Sequence, residues 1–88
     1  MKVEFKASFA RDLKKVRDKR LKERVREIIE QVEQVDNLQD MTNIKKLQGE
    51  LDYYRIRVGD YRLGLSIEGD TVVFVRFLHR KDVYRYFP

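Results

Sequence analysis

Residues 53–80 read YYRIRVGDYRLGLSIEGDTVVFVRFLHR, and this stretch decides the fold. Gly59-Asp60 and Gly69-Asp70 are two-residue loops with glycine first, as type I′ or II′ hairpin turns allow. They divide the stretch into three strands: Tyr53 to Val58, Tyr61 to Glu68 and Thr71 to Arg80. Side chains alternate faces along a strand. Tyr54, Ile56 and Val58 share one face of the first strand. Tyr61, Leu63, Leu65 and Ile67 share one face of the second, and Val73, Val75, Phe77 and His79 one face of the third. With those sets turned to a core, Arg55, Arg57, Arg62, Arg76 and Arg80 gather on the opposite side. Pairing across the first turn sets Arg57 directly against Arg62. Like charges in that position destabilise a sheet. A bound phosphate offsets the repulsion, so the natural partner of this face is a polyanion. The competing reading is a solvated face whose long side chains splay over apolar surface.

Outward from the meander, Lys2 to Lys6 alternates Val3 and Phe5 with charged residues, a short half-buried strand. Ser8 sits where a helix N-cap is expected. Phe9, Leu13 and Val16 follow with helical spacing. After a break near Asp18 to Arg20, Leu21, Val25, Ile28, Ile29, Val32 and Val35 form a second helical stripe, which ends at Asp36 and Asn37. The two helices form a hairpin covering one sheet face. Leu38 to Ile44 is a connection with room for one helical turn, and Lys45 to Gly49 leads into the sheet. The fold class is therefore α+β: an N-terminal strand, then a two-helix hairpin packed on an antiparallel sheet that ends in a three-stranded meander. One sheet face is expected to stay open.

The 88 residues are expected to form one domain, residues 1–88, with one small core. Such a chain buries about 60–65% of the surface its unfolded form exposes. Hydrophobic residues at 42% and aromatics at 11% suffice for folding although 40% of residues are charged. The net charge of +5 favours an acidic partner such as nucleic acid, an acidic protein or a membrane surface. No apolar run approaches the ~18 residues of a membrane span, and Met1 to Phe9 lacks the apolar core of a signal peptide. The absence of cysteine excludes disulfides and cysteine metal sites, and a single histidine argues against structural zinc. A cytoplasmic protein with no metal, no cofactor and no membrane association is expected.

No paired-carboxylate site is present: Glu50 and Asp52 precede the first meander strand and Glu68 lies at the second turn. Nor is there a Gly-rich phosphate loop, nucleophile elbow or metal-ligand spacing. The helix charges from Lys14 to Glu30 read as a solvated face with pairs such as Arg26–Glu30. Chemistry is left to cations, tyrosines and His79, the one side chain whose ordinary pKa lies near neutrality. Strict alternation turns His79 toward the helices, and a bulge or strand end at Leu78 to Arg80 would turn it outward. Tyr84 is either a base-stacking group or a packed C-terminal aromatic. A site of this kind suits cleavage within RNA. The ribose 2′-OH is the nucleophile, and the protein has to align it and stabilise the phosphorane.

The combination of Lys46-Leu47-Gln48-Gly49, Tyr54-Arg55-Ile56-Arg57-Val58-Gly59-Asp60-Tyr61-Arg62-Leu63 and His79-Arg80-Lys81-Asp82-Val83-Tyr84-Arg85 resembles the RelE/ParE superfamily of bacterial and archaeal toxins. The element order is similar across essentially the whole chain. The resemblance implies a microbial-ribonuclease-like RelE fold and a toxin of a type II toxin–antitoxin system. It further implies ribosome-dependent, metal-independent cleavage of mRNA in the A site, and so inhibition of translation. The implied partners are a cognate antitoxin, the ribosome and mRNA, with a toxin–antitoxin hetero-oligomer binding operator DNA through the antitoxin. Basic residues match at Arg55, Arg57, Arg62 and Arg80, and a tyrosine at Tyr84. RelE has lysines where this chain has Arg55 and Arg57. Arginine does not give up its proton, so those two read as phosphate clamps and His79 as the leading general acid or base. The implied catalytic set is Arg55, Arg57, Arg62, His79, Arg80 and Tyr84, with Lys45, Lys46, Arg76 and Arg85 as further RNA contacts. ParE-type toxins share the fold and poison DNA gyrase without cutting RNA. That role and non-catalytic RNA binding are the alternatives.

Overall fold

The computed structural model describes residues 1–49 and 52–88; Glu50, assigned above to the approach to the meander, lies outside them. The chain runs β1 (Lys2–Phe5), α1 (Ala7–Lys15), α2 (Lys19–Gln34), one 3₁₀ turn (Leu38–Asp40), β2 (Ile44–Lys46), β3 (Tyr53–Val58), β4 (Tyr61–Glu68), β5 (Thr71–His79) and α3 (Arg80–Tyr86). The strands form one sheet in the order β1-β5-β4-β3-β2. The β1–β5 pair is parallel and the others are antiparallel.

Both glycine turns form as expected, with Gly59 at φ 59° and Gly69 at φ 64°, a conformation that glycine adopts without strain. The β3–β4 register sets Arg57 against Arg62. The break between the helices is also observed. Asp18 caps α2, its carboxylate accepting from the Arg20 and Leu21 N–H groups at 2.9 and 3.2 Å, which supplies partners for donors no preceding turn can reach. Phe9, Val16, Val25 and Val32 of the helical layer close on Tyr54, Ile56, Val58, Leu63, Leu65, Val72, Phe74 and Phe77 of the sheet.

Four local features differ from the sequence reading. First, Ile44–Lys46 is a fifth strand, paired with β3 so that Lys45 faces Arg55. Second, Ser8 does not cap α1. The cap residue is Lys6, and the Ser8 hydroxyl donates to the Val75 carbonyl at 2.6 Å. Third, β5 carries a bulge. Leu65 pairs with Phe74 and Gly64 with Arg76, so Val75 has no partner. One extra residue reverses the facing of everything beyond it. Val72 and Phe74 therefore reach the core before the bulge and Phe77 after it, in place of the expected Val73, Val75, Phe77 series. Fourth, β5 ends at His79, and Arg80 opens a helix where the sequence reading continued the strand.

The third and fourth differences reshape the expected open face. α3 lies against β4 and β5, with Val83 and Phe87 buried outside the main core. The Phe87 ring covers Gly64 so closely that a Cβ there would stand 2.7 Å from it. Tyr53 meets the same ring edge-on at 5.5 Å. The far side of the sheet is thus covered at β4–β5 and open toward β2–β3.

β1 pairs with β5 only from Thr71 to Phe74. Beyond Phe74 that edge of β5 has no neighbouring strand, and α1 supplies its bonds. Ser8 takes the Val75 carbonyl. Asp12, buried to 7% exposure, accepts the Phe77 N–H at 3.0 Å and two Arg76 N–H groups at 2.7 and 3.1 Å. Two helix side chains thereby continue the ladder that a longer β1 would have made.

Candidate functional site: a cationic groove at the open end of the sheet

Arg55 and Arg57 project from β3, Arg62 from β4 and Lys45 from β2. With Asn43 and Tyr84 they line a groove of about 370 Å³. The placement follows from strand alternation. Ile44, Ile56 and Leu63 point to the helices, so their neighbours point away. Cross-strand pairing then sets Lys45 beside Arg55 and Arg57 beside Arg62. Asn43 shapes the rim. Its φ of 60° is one asparagine tolerates, and its carbonyl accepts the Arg57 N–H at 2.9 Å.

The four cations have no counter-charge among the described residues. Among the described residues none of them lies in an ion pair, and no carboxylate lines the groove. Arg62 is oriented by the turn, donating from one Nη to the Gly59 and Tyr61 carbonyls at 2.9 and 2.8 Å. The Arg55 guanidinium lies 4.5 Å from the centroid of the Tyr84 ring, a cation–π contact. Tyr84 is 76% exposed, so its outer face is free to stack.

The other residues singled out in the sequence lie elsewhere. Arg76 leaves the arginine face for the Asp12 carboxylate. The hydrogen bonds it donates to Asp12 hold its guanidinium above its ordinary pKa against the opposing effect of burial. Arg80 stands at the start of α3, its N–H on the Asp60 carbonyl at 2.7 Å and its Nε 3.9 Å from the Asp60 carboxylate. Lys46 pairs with Asp52 at 3.4 Å. Arg85 rests by the Tyr86 ring, 5.7 Å from its centroid. His79 is not turned outward. It caps α3 by accepting the Lys81 N–H on Nδ1 at 3.1 Å, meets Tyr61 edge-on at 5.4 Å, and borders a separate cleft against α1.

Residues 3–84 match the family described as the ParE toxin of type II toxin–antitoxin systems. The chain belongs to this family. Toxin RelE3 of Methanocaldococcus jannaschii is 47% identical over 89 residues that span 100% of both chains, which makes this protein a type II toxin of RelE type. The RelB–RelE antitoxin–toxin complex of Methanococcus jannaschii superimposes with a TM-score of 0.80 at 45% identity, covering 96% of this chain and 98% of that one. The RelE–RelB complex of Pyrococcus horikoshii superimposes with a TM-score of 0.75 at 24% identity over 90% and 93% of the two chains, a likeness of fold. In this RelE-type toxin the groove brings four cations that lie in no ion pair among the described residues together with the exposed ring of Tyr84. Asn43 and Asp12 escaped sequence reading. An asparagine before a strand is an ordinary turn residue, and Asp12 gives no sign that its partner is 64 residues away.

Proposed function

We propose that this toxin is an endoribonuclease that cleaves mRNA in the ribosomal A site through attack of a ribose 2′-OH, and that a RelB-like antitoxin holds it in check. The observation that carries the reading is the groove itself, four cations that lie in no ion pair among the described residues beside an exposed tyrosine. Arg55, Arg57 and Arg62 hold the scissile phosphate and stabilise the charge that builds on the phosphorane. Tyr84 stacks the adjoining base. The 2′-oxygen bonds to phosphorus as the 5′-oxygen leaves, giving a 2′,3′-cyclic phosphate and a 5′-hydroxyl. The proton lost by the 2′-OH is replaced on the leaving oxygen. Lys45 and Tyr84 are the groove residues able to exchange a proton, so proton transfer falls to them or to the ribosome. Arg80 at the α3 start supports the leaving oxygen once released from Asp60.

Two measurements test this. Primer extension on mRNA from translating ribosomes should show in-frame cuts with the wild type and none with an Arg62→Ala/Tyr84→Ala double variant. Arrest without cleavage, or broken DNA, would transfer the protein to the gyrase-directed or binding role. The second measurement concerns His79, which caps α3 and does not line the groove and so has no acid–base role in this reading. Asparagine keeps a helix-capping oxygen, so His79→Asn should cut at a rate within about threefold of wild type, a change worth less than ~1 kcal/mol. A loss of a hundredfold would return His79 to the chemistry.

A further inference from the structure

On the opposite side of α3 from the groove lies a second cleft of about 360 Å³, between α1 and α3. Val16, Phe77 and Leu78 give it apolar lining, Tyr61, His79 and Tyr86 give it rings, and its charged lining is Lys15, Asp82 and the Asp12–Arg76 pair. Tyr86 is 51% exposed, and the arginine groove makes no use of it. The Nδ1 of His79 accepts a backbone N–H, which leaves the ring proton on Nε2 as a donor. Asp82 supplies an acceptor. Apolar lining, aromatic rings to stack on and edge donors and acceptors, here His79 with Lys15 as donors and Asp82 as acceptor, are what recognition of an unstacked nucleobase requires, and the volume suits a ligand of that size.

The layout of α3 connects this cleft to the groove. At 100° per residue, Asp82 and Tyr86 share one flank and Tyr84 lies on the other. Val83 is buried beneath. Lys81 and Arg85, also four apart, are exposed along the helix. We infer that the α1–α3 cleft is a second nucleotide subsite. It takes the base next to the one stacked at Tyr84, and the phosphate between them crosses α3 at Lys81 and Arg85. The inference rests on the groove being the RNA site, and its test separates the two.

The toxin is titrated, with NMR detection, against uridine 3′-phosphate and against a diuridine whose first sugar is 2′-deoxy and resists cleavage. The mononucleotide should move signals of the groove residues, Arg55 and Tyr84 among them, and none in the cleft. The dinucleotide should also move the Val16 methyls and the rings of His79 and Tyr86. Tyr86→Ala should weaken the dinucleotide about tenfold, the scale of one lost stacking contact, and leave the mononucleotide unchanged. If the dinucleotide moves only the groove residues, or Tyr86→Ala weakens both ligands alike, the second subsite is overturned and the groove stands. If neither ligand moves Arg55 or Tyr84, both readings fall.

Discussion

An Arg62→Glu toxin is expected to fold at least as stably as the wild type and to lose cleavage at least a hundredfold. The two effects have one origin. Arg62 and Arg57 face each other across β3 and β4, a like-charge pair of which neither member lies in an ion pair among the described residues. Glutamate at that position turns the pair into an attractive one, worth about 0.2–1 kcal/mol on an exposed sheet face. Of the two carbonyls that Arg62 now serves, that of Gly59 lies in an exposed turn and that of Tyr61 is part-buried at the start of β4, and the gain in charge pairing is set against their transfer to water. Removing one preorganised donor from a developing oxyanion typically costs about 10²–10³ in rate, and a carboxylate in its place adds repulsion. Urea unfolding and primer extension on the same preparation check both parts. A variant that unfolds more easily while still cutting would show that the repulsion is not stored for catalysis.

The largest loss of stability is expected at Asp12. Asp12→Ala leaves the Phe77 N–H without its acceptor and Arg76 without its counter-charge. Breaking a buried pair from one side costs about 3–5 kcal/mol. Arg76 keeps 28% side-chain exposure and can turn toward water, so about 2–3 kcal/mol is the better expectation. That is a large share of the roughly 5–15 kcal/mol that holds a small domain together. Asp12→Asn keeps an acceptor for Phe77 and should fall between. Asp12→Leu with Arg76→Met removes both charges and should recover part of the loss. Denaturant midpoints for the four proteins decide the matter, and a loss below about 1 kcal/mol in Asp12→Ala would remove the pair from the account.

The parts of this fold that were legible in the sequence are those set by local rules. The glycine turns, the alternation of β3 and β4 and the break at Asp18 are local, and so they fixed Arg55, Arg57 and Arg62 on one face with Arg57 against Arg62. What was not legible depends on distant partners. The bulge at Val75 leaves no local mark, yet it turns Val72 and Phe74 into the core in place of Val73 and Val75, while Phe77 and His79 keep the facing that alternation gives them; Arg76 is drawn off by Asp12, a partner 64 positions away. α3 has only Val83 and Phe87 as an apolar stripe, too short a period to distinguish from a tail. Tyr84 was recognised by resemblance, and its seat against Arg55 needed the helix. Lys46 and Arg85 looked like their groove-lining neighbours until their local partners were seen.

The seam between α1 and β5 also sets a schedule. Ser8 reaches Val75 across 67 positions of chain and Asp12 reaches Arg76 across 64. Contacts so far apart form late, because the intervening loop must close first. During synthesis the early helices therefore wait for β5 to emerge before their buried carboxylate finds its partner, and Tyr84, carried just beyond β5, meets Arg55 only after that. Every strand and α3 must have emerged before Tyr84 meets Arg55, so the groove is incomplete on any nascent chain that stops short of α3.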